Sequence, residues 1–142
     1  MDIKKCSIAT GAVFVATFVW DFLFHGMFLG PNYYQANATT FVQSQEFNVW
    51  LLVGELIQSS LLVYLWTRVM GSFGGGVKGG VQFGVLAQLF LSMPQAMYNH
   101  MFINGFPYAL SWLWVVGALI LGAIQGAIAG AMYKPSMKGR MA

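Results

Sequence analysis

Charged side chains are scarce in this chain of 142 residues: Asp, Glu, Lys and Arg together make up 8% of it, whereas hydrophobic residues make up 58%. An average soluble domain carries about 25% charged residues. So little charge could not cover the surface of a water-soluble domain of this length, and the mean hydropathy of +0.65 agrees with that conclusion. The composition therefore excludes a soluble domain and predicts an integral membrane protein.

The chain also lacks the residues and motifs of several well-known chemistries. Cys6 is the single cysteine, which excludes an internal disulfide. Neither a serine nucleophile elbow nor an HExxH zinc motif occurs, so nothing supports catalysis of the soluble type. The glycine-rich segment 71–80 matches neither nucleotide-binding fingerprint, and we predict a flexible connector there.

What the chain does contain is apolar runs long enough to cross a bilayer, which takes about 20 residues. Four such runs predict helices near 7–29, 48–70, 80–103 and 108–132. Pro94 is expected to kink or interrupt the third helix. We therefore predict an all-α fold, an integral membrane four-helix bundle that forms a single transmembrane domain over 1–142, without a soluble domain.

The basic residues indicate how this bundle is oriented. All seven fall before helix 1, around the connection between helices 2 and 3, or after helix 4, while the loops near 30–47 and 104–107 contain none. The seven are Lys4, Lys5, Arg68, Lys78, Lys134, Lys138 and Arg140. By the positive-inside rule both termini are predicted to be cytoplasmic. We expect the cytoplasmic membrane of a bacterium or archaeon, and no nucleic acid partner.

Three ionisable side chains, Asp21, His25 and Glu55, lie inside the apolar runs. Asp21 and His25 are an i,i+4 pair on helix 1, and Gln95 and Asn99 share a stripe of helix 3. At 1.5 Å per residue all five fall in the outer half of the membrane, so we predict one polar cluster. Two carboxyls in a low-dielectric site do not both ionise cheaply, which makes the cluster a candidate for proton exchange. The alternative is a structural clasp of hydrogen bonds between helices.

Two further patterns concern helix packing. Gln88 and Gln125 fall at a similar, deeper level and are expected to pair through their amides. Helix 4 also carries a stripe of small residues with a spacing of four, which permits close contact with a neighbouring helix of the chain or with another subunit. The stripe consists of Ala118, Gly122, Gly126 and Gly130.

No cofactor is required by the sequence, although two alternatives stay open. Helix 3 places an imidazole and three thioethers on one face, a ligand set that favours Cu(I). These ligands are His100, Met93, Met97 and Met101. His25 and His100, at similar depth on different helices, would suit the axial positions of haem b.

These observations favour a binding or assembly protein: a small accessory subunit that packs into a larger membrane complex or self-associates in lipid. The observations that favour this prediction are the small size, the lack of an extramembrane domain, the glycine stripe, and a Met/His face of helix 3 directed outward. The competing prediction is a small transporter or a proton- or metal-handling protein that works through Asp21, His25 and Glu55. A membrane enzyme comes third, so we expect no catalytic residues.

Overall fold

A computed structural model of the protein describes residues 2–36 and 49–133. Within these ranges the regular secondary structure is helical, with short turns between helices, and contains no strands. The first helix changes character along its length: an α-helical part is followed directly by a π-helical part, which we call π1. The elements are α1 (Ile3–Asp21), π1 (Phe22–Tyr34), α2 (Val49–Val69), α3 (Gly76–Phe102) and α4 (Tyr108–Met132).

Three helices of the described chain are long and apolar enough to cross a membrane: the continuous helix Ile3–Tyr34, then α2 and α4. α3 has 27 residues and is therefore long enough as well. Its glycines, amides and Lys78 make it less apolar, and it is not among these three. The composition and these helices together identify a helical membrane protein.

Helix 1 departs most from the predicted boundaries. It begins at Ile3 rather than near 7, because the side chain of Asp2 accepts a hydrogen bond from the backbone N–H of Lys5 (3.1 Å) and caps the first turn. It also continues to Tyr34, so the segment 30–34 is helical rather than part of a loop. The rest of the predicted outer loop, 37–48, lies outside the described residues.

One end of the bundle is joined by contacts among all four helices. The Tyr133 hydroxyl accepts a hydrogen bond from the backbone N–H of Asp2 (3.0 Å), and its carbonyl accepts one from Trp66 Nε1 (3.1 Å). Trp66 is fully buried and packs on Phe83 of α3, with 5.6 Å between ring centroids. The start of α1, the end of α2, the start of α3 and the end of α4 therefore meet here. The basic residues of the described chain flank this end: Lys4, Lys5, Arg68 and Lys78.

α3 and α4 form the closest helix pair, because their glycines interlock. A Cβ atom on five of these six glycines, all except Gly76, would overlap the backbone of the opposite helix. The facing pairs are Gly84 with Gly122, Gly80 with Gly126, and Gly76 with Gly130. α3 thus repeats the spacing of four that the sequence revealed in α4. This contact occupies the glycine stripe of α4, so its three glycines are not free to contact another subunit.

One prediction about helix 3 is wrong. The predicted flexible connector 71–80 overlaps the helix, since α3 begins at Gly76, directly after Gly75 with a positive φ of 69°. The glycines after it are needed for close packing rather than for flexibility. Pro94 lies inside α3 without interrupting it.

α1 packs against both α2 and α4, whereas α2 touches α3 only over a short stretch. A cavity of about 380 Å³ separates α2 and α3, lined mainly by apolar side chains such as Leu61, Phe83 and Leu91. The bundle is therefore tight on its α3–α4 side and open beside α2, where the first of the two polar pockets described next lies.

Candidate functional site

Asp21, His25 and Glu55, the three ionisable residues of the apolar runs, line one pocket between helix 1 and α2. The volume of this pocket is about 650 Å³, and Tyr34 contributes to its wall. Asp21 is the last residue of α1, so the carboxyl lies where the α-helix passes into π1. We call this space the carboxyl pocket.

Glu55 is the most enclosed of the three, with a side chain that is only 4% exposed. Within the described part of the chain, neither of its carboxyl oxygens has a hydrogen-bond partner. The carboxyl of Asp21 lines the same pocket, so the two carboxyls face one space and interact electrostatically. Glu55 lies six residues from the start of α2, or about 9 Å along the helix axis. The two carboxyls thus form a pair inside the apolar part of the bundle.

His25 connects this pair with two aromatic side chains. Its Nε2 lies 4.0 Å from Asp21 Oδ1, and its Nδ1 lies 2.6 Å from the hydroxyl oxygen of Tyr34. The indole N–H of Trp114 on α4 donates to the same hydroxyl oxygen (3.0 Å). The imidazole and phenol rings are stacked nearly parallel, with 6.2 Å between centroids. Tyr34 and Trp114 therefore fix the orientation of the imidazole.

A second, smaller pocket of about 200 Å³ begins on the other side of His25. It is lined by Ser92 and Gln95 of α3 and by Trp114 and Ala118 of α4. His25 thus separates the carboxyl pocket from a space that α3 and α4 line with neutral polar groups. Ala118, predicted as part of the small-residue stripe, faces this second pocket instead of the glycine contact.

The five predicted cluster residues are consequently distributed over two spaces. Asp21, His25 and Glu55 share the carboxyl pocket, whereas Gln95 lines the second pocket. Gln95 Nε2 donates to Asn99 Oδ1 (2.9 Å), so Asn99 is linked to the cluster through Gln95. Asn99 itself is buried, and its Nδ2 has no hydrogen-bond partner among the residues described.

The deeper amides form a separate network that joins three helices. Gln88 Nε2 donates to Gln125 Oε1 (2.9 Å), and Gln125 Nε2 donates to the Thr17 hydroxyl (2.8 Å). Thr17 in turn donates to the carbonyl of Val13 (2.9 Å). The predicted pairing of the two glutamines is confirmed, and all of these side chains are buried. The network holds α1, α3 and α4 together below the two pockets.

The residues proposed for copper or haem have surroundings of several kinds. Met97 and Met101 are mostly exposed on α3, Met93 is half-buried, and the His100 ring packs on Tyr108 with 4.8 Å between centroids. His25 contacts Tyr34 and Trp114 instead. Across residues 2–36 and 49–133, no group of three or more His, Cys, Asp or Glu is placed to hold a metal ion.

Sequence reasoning missed the inward role of Tyr34 and Trp114. Tyr34 follows His25 by nine residues, a spacing that places two side chains on opposite faces of an α-helix. The spacing therefore does not predict their contact. Gly26, Gly30 and Pro31 within this stretch indicate irregular helix, but they do not specify a π-helix. No protein-family model, curated protein or solved structure matches this chain.

Proposed function

We propose that this protein exchanges a proton through the carboxyl pair of Asp21 and Glu55, as a small membrane transporter or proton-handling protein. The observation that carries the proposal is the state of Glu55: a carboxyl that is 4% exposed, has no hydrogen-bond partner in the described chain, and faces a pocket of about 650 Å³. An unpaired carboxylate is costly in apolar surroundings. The pair therefore holds either a proton or a cation.

The balance of charge around the carboxyl pocket supports this proposal. Two carboxyls face one imidazole, while the described lysines and arginines flank the opposite end of the helices. α3 and α4 present only hydroxyl, amide and indole groups to the adjoining pocket, from Ser92, Gln95 and Trp114. A protonated His25 can balance one carboxylate at most. The second carboxyl needs a proton or a cation that comes from outside the protein.

The position of His25 gives the proton a route from the carboxyl pair to Tyr34. Nε2 lies 4.0 Å from Asp21 Oδ1 and can receive the proton once a movement of about 1 Å brings the two atoms within hydrogen-bond distance. Nδ1 then donates to the Tyr34 oxygen at 2.6 Å. Since Tyr34 and Trp114 hold the ring in place, the imidazole accepts on the side of the carboxyl pair and donates on the side of the aromatic pair.

We further propose that all four helices cross the membrane, with both termini in the cytoplasm. α3 packs along α4 through its glycines, so it follows the path of a helix that is apolar enough to span. The end of the bundle flanked by Lys4, Lys5, Arg68 and Lys78 would then face the cytoplasm. The carboxyl pair would open toward the outer half, in a bacterial or archaeal cytoplasmic membrane.

Infrared difference spectroscopy of the protein in lipid nanodiscs, recorded across a pH titration, tests the proton proposal. The wild type is expected to show a protonated-carboxyl stretching band that disappears as the pH rises and shifts in deuterated water. Glu55→Gln should remove or displace this band. Asp2→Asn is the matched control, because it removes a carboxyl at the far end of the helix and keeps an N-cap. A band that is the same in wild type and Glu55→Gln would overturn the proposal.

A second candidate is the accessory subunit of a larger membrane complex or homo-oligomer. The observation that favours it lies on the outer half of α3, where Met97 and Met101 are 56% and 72% exposed. A neighbouring subunit would cover this face and pack against its side chains. Extraction in native-lipid particles and native mass spectrometry test this candidate. A partner at fixed stoichiometry supports it, and a monomer with lipid alone contradicts it.

A further inference from the structure

The carboxyl pocket has walls of two chemically different kinds. Asp21 and Glu55 supply the carboxyls, whereas Phe18, Phe22 and Leu51 supply aromatic and aliphatic surface. Its volume of about 650 Å³ is far more than a proton or a single ion needs. Pockets for small organic ligands measure about 300–1,000 Å³. The dimensions thus indicate a ligand with several non-hydrogen atoms.

A bare metal ion is poorly suited to these walls. Calcium takes 6–8 oxygen ligands, and magnesium requires a nearly complete octahedron, as general rules of coordination. Among the described residues, the side-chain oxygens that line this pocket come from Asp21, Glu55 and Tyr34 only. The remaining wall cannot replace the hydration shell of a small ion. The described residues also contain no group of three or more His, Cys, Asp or Glu placed to hold a metal.

An organic cation can interact favourably with both kinds of wall at the same time. Its charge would balance the carboxyl pair, which no lysine or arginine of the described chain approaches. A positive charge near aromatic faces gains cation–π attraction, worth about 2 kcal/mol or more when the site is desolvated. Phe18 and Phe22 are four residues apart on one side of helix 1, next to Asp21, and both line the pocket. Apolar substituents gain further from burial against Leu51.

We infer that the carboxyl pocket binds an organic ammonium ion with apolar substituents, whose charge lies between Asp21 and Glu55 and whose substituents pack on Phe18 and Phe22. This inference rests on the proposed function, because the ligand takes the place of the exchangeable proton. When the ammonium ion binds, the proton leaves the carboxyl pair for the solvent, and the charge of the site is unchanged. Binding is thus accompanied by release of up to one proton and competes with protonation.

Isothermal titration calorimetry with benzyltrimethylammonium tests this inference, using the full chain in lipid nanodiscs. The quaternary nitrogen has a fixed charge, so the probe carries no proton of its own. Wild type should bind it saturably, and titrations in two buffers of different ionisation enthalpy should reveal proton release. Glu55→Gln should weaken binding about tenfold or more, whereas Asp2→Asn should leave it unchanged. Sodium chloride at equal concentration serves as the small-cation control.

A second variant tests the aromatic wall of the pocket without changing either carboxyl. Phe22→Leu preserves the charge of the site and alters a side chain that is 61% exposed, so the fold should be retained. It removes one aromatic face and should weaken benzyltrimethylammonium about threefold or more. Equal binding by wild type, Glu55→Gln and Phe22→Leu would overturn the inference, as would no saturable binding to wild type. If the carboxyl band still titrates in that case, the proton proposal stands and only the ligand class fails; if it does not, both fail.

Discussion

His25 Nδ1 and the Tyr34 hydroxyl oxygen lie 2.6 Å apart, although nine residues separate them on one helix. In an α-helix nine residues make about two and a half turns, which places the two side chains on opposite faces. π1 has wider turns, as the hydrogen bond from the Gln35 N–H to the Gly30 carbonyl (3.0 Å, i to i+5) shows. The wider turns bring both side chains to one face. Such π-helical geometry is rare and is often found at functional sites.

Tyr34→Phe should therefore remove hydrogen bonds from the site without creating a cavity. The variant removes the hydroxyl that His25 contacts and to which Trp114 donates. A lost hydrogen bond of this kind costs about 1 kcal/mol. We expect a decrease of this size in the free energy of unfolding, measured by denaturing-detergent titration, and a carboxyl band displaced from its wild-type position. Tyr64→Phe, on the exposed side of α2, is the control. Identical stabilities of the two variants would contradict the assigned role.

Gly84→Ala should disrupt the contact between α3 and α4. The added methyl group would overlap the carbonyl of Gly122, so the helices must separate locally, at a cost of about 1–3 kcal/mol. Gly54→Ala is the matched control, because a Cβ there meets nothing within 4 Å. It should be neutral or stabilise α2 by up to about 1 kcal/mol. Thermal unfolding in detergent measures both variants. If Gly84→Ala changes the oligomeric state of an otherwise stable chain, the contact is intermolecular and this account is wrong.

The sequence predicted which helices exist, because their apolar runs are long and their boundaries are marked by polar or glycine-rich segments. It also predicted the pairing of Gln88 with Gln125, since helical phase and depth suffice to bring two amides together. It did not predict the end of helix 1. There the backbone leaves the α-helical period, and this period gives no reason to place Tyr34 beside His25.

The α3 glycines show a second limit. Gly76 and Gly80 stand in a run of glycines that is typical of a flexible loop, and only their partners on α4 make them helical. Local composition cannot reveal this, because the stabilising contact comes from Gly126 and Gly130, about fifty residues later in the chain. The matching spacing of four in both segments was the available signal. Comparing the two stripes, rather than interpreting each by itself, would have paired the helices.

Site-directed labelling tests the proposed orientation of the bundle. Cys6 is the single cysteine, so Cys6→Ser provides a cysteine-free background. Asn104→Cys places a thiol between α3 and α4, and Ser72→Cys places one between α2 and α3, both at exposed positions. A membrane-impermeant maleimide should label Asn104→Cys in intact cells and Ser72→Cys only after permeabilisation. The reverse pattern would contradict cytoplasmic termini.

The amide network gives a prediction about coupling between helices rather than about single residues. Gln125→Leu removes both the bond from Gln88 and the bond to Thr17, and we expect a loss of about 1–2 kcal/mol in the free energy of unfolding. Gln88→Leu removes one bond and should cost about 0.6 kcal/mol, the mean for such bonds in membranes. The double variant should cost less than the sum of the two, because no glutamine amide is then left buried without its partner.

Gln58→Leu is the control for this cycle, since Gln58 is half-buried beside the cavity between α2 and α3 and lies outside the network. Its effect should stay within about 0.5 kcal/mol and should add to that of Gln125→Leu, because the two sites share no partner. Denaturing-detergent titration measures the free energy of unfolding of all five variants under one condition. These are the three single variants and two double variants, in which Gln125→Leu is combined with Gln88→Leu or with Gln58→Leu. If Gln88→Leu and Gln125→Leu are simply additive, their hydrogen bond contributes nothing to the association of α3 with α4. The glycine contact would then account for that pairing alone.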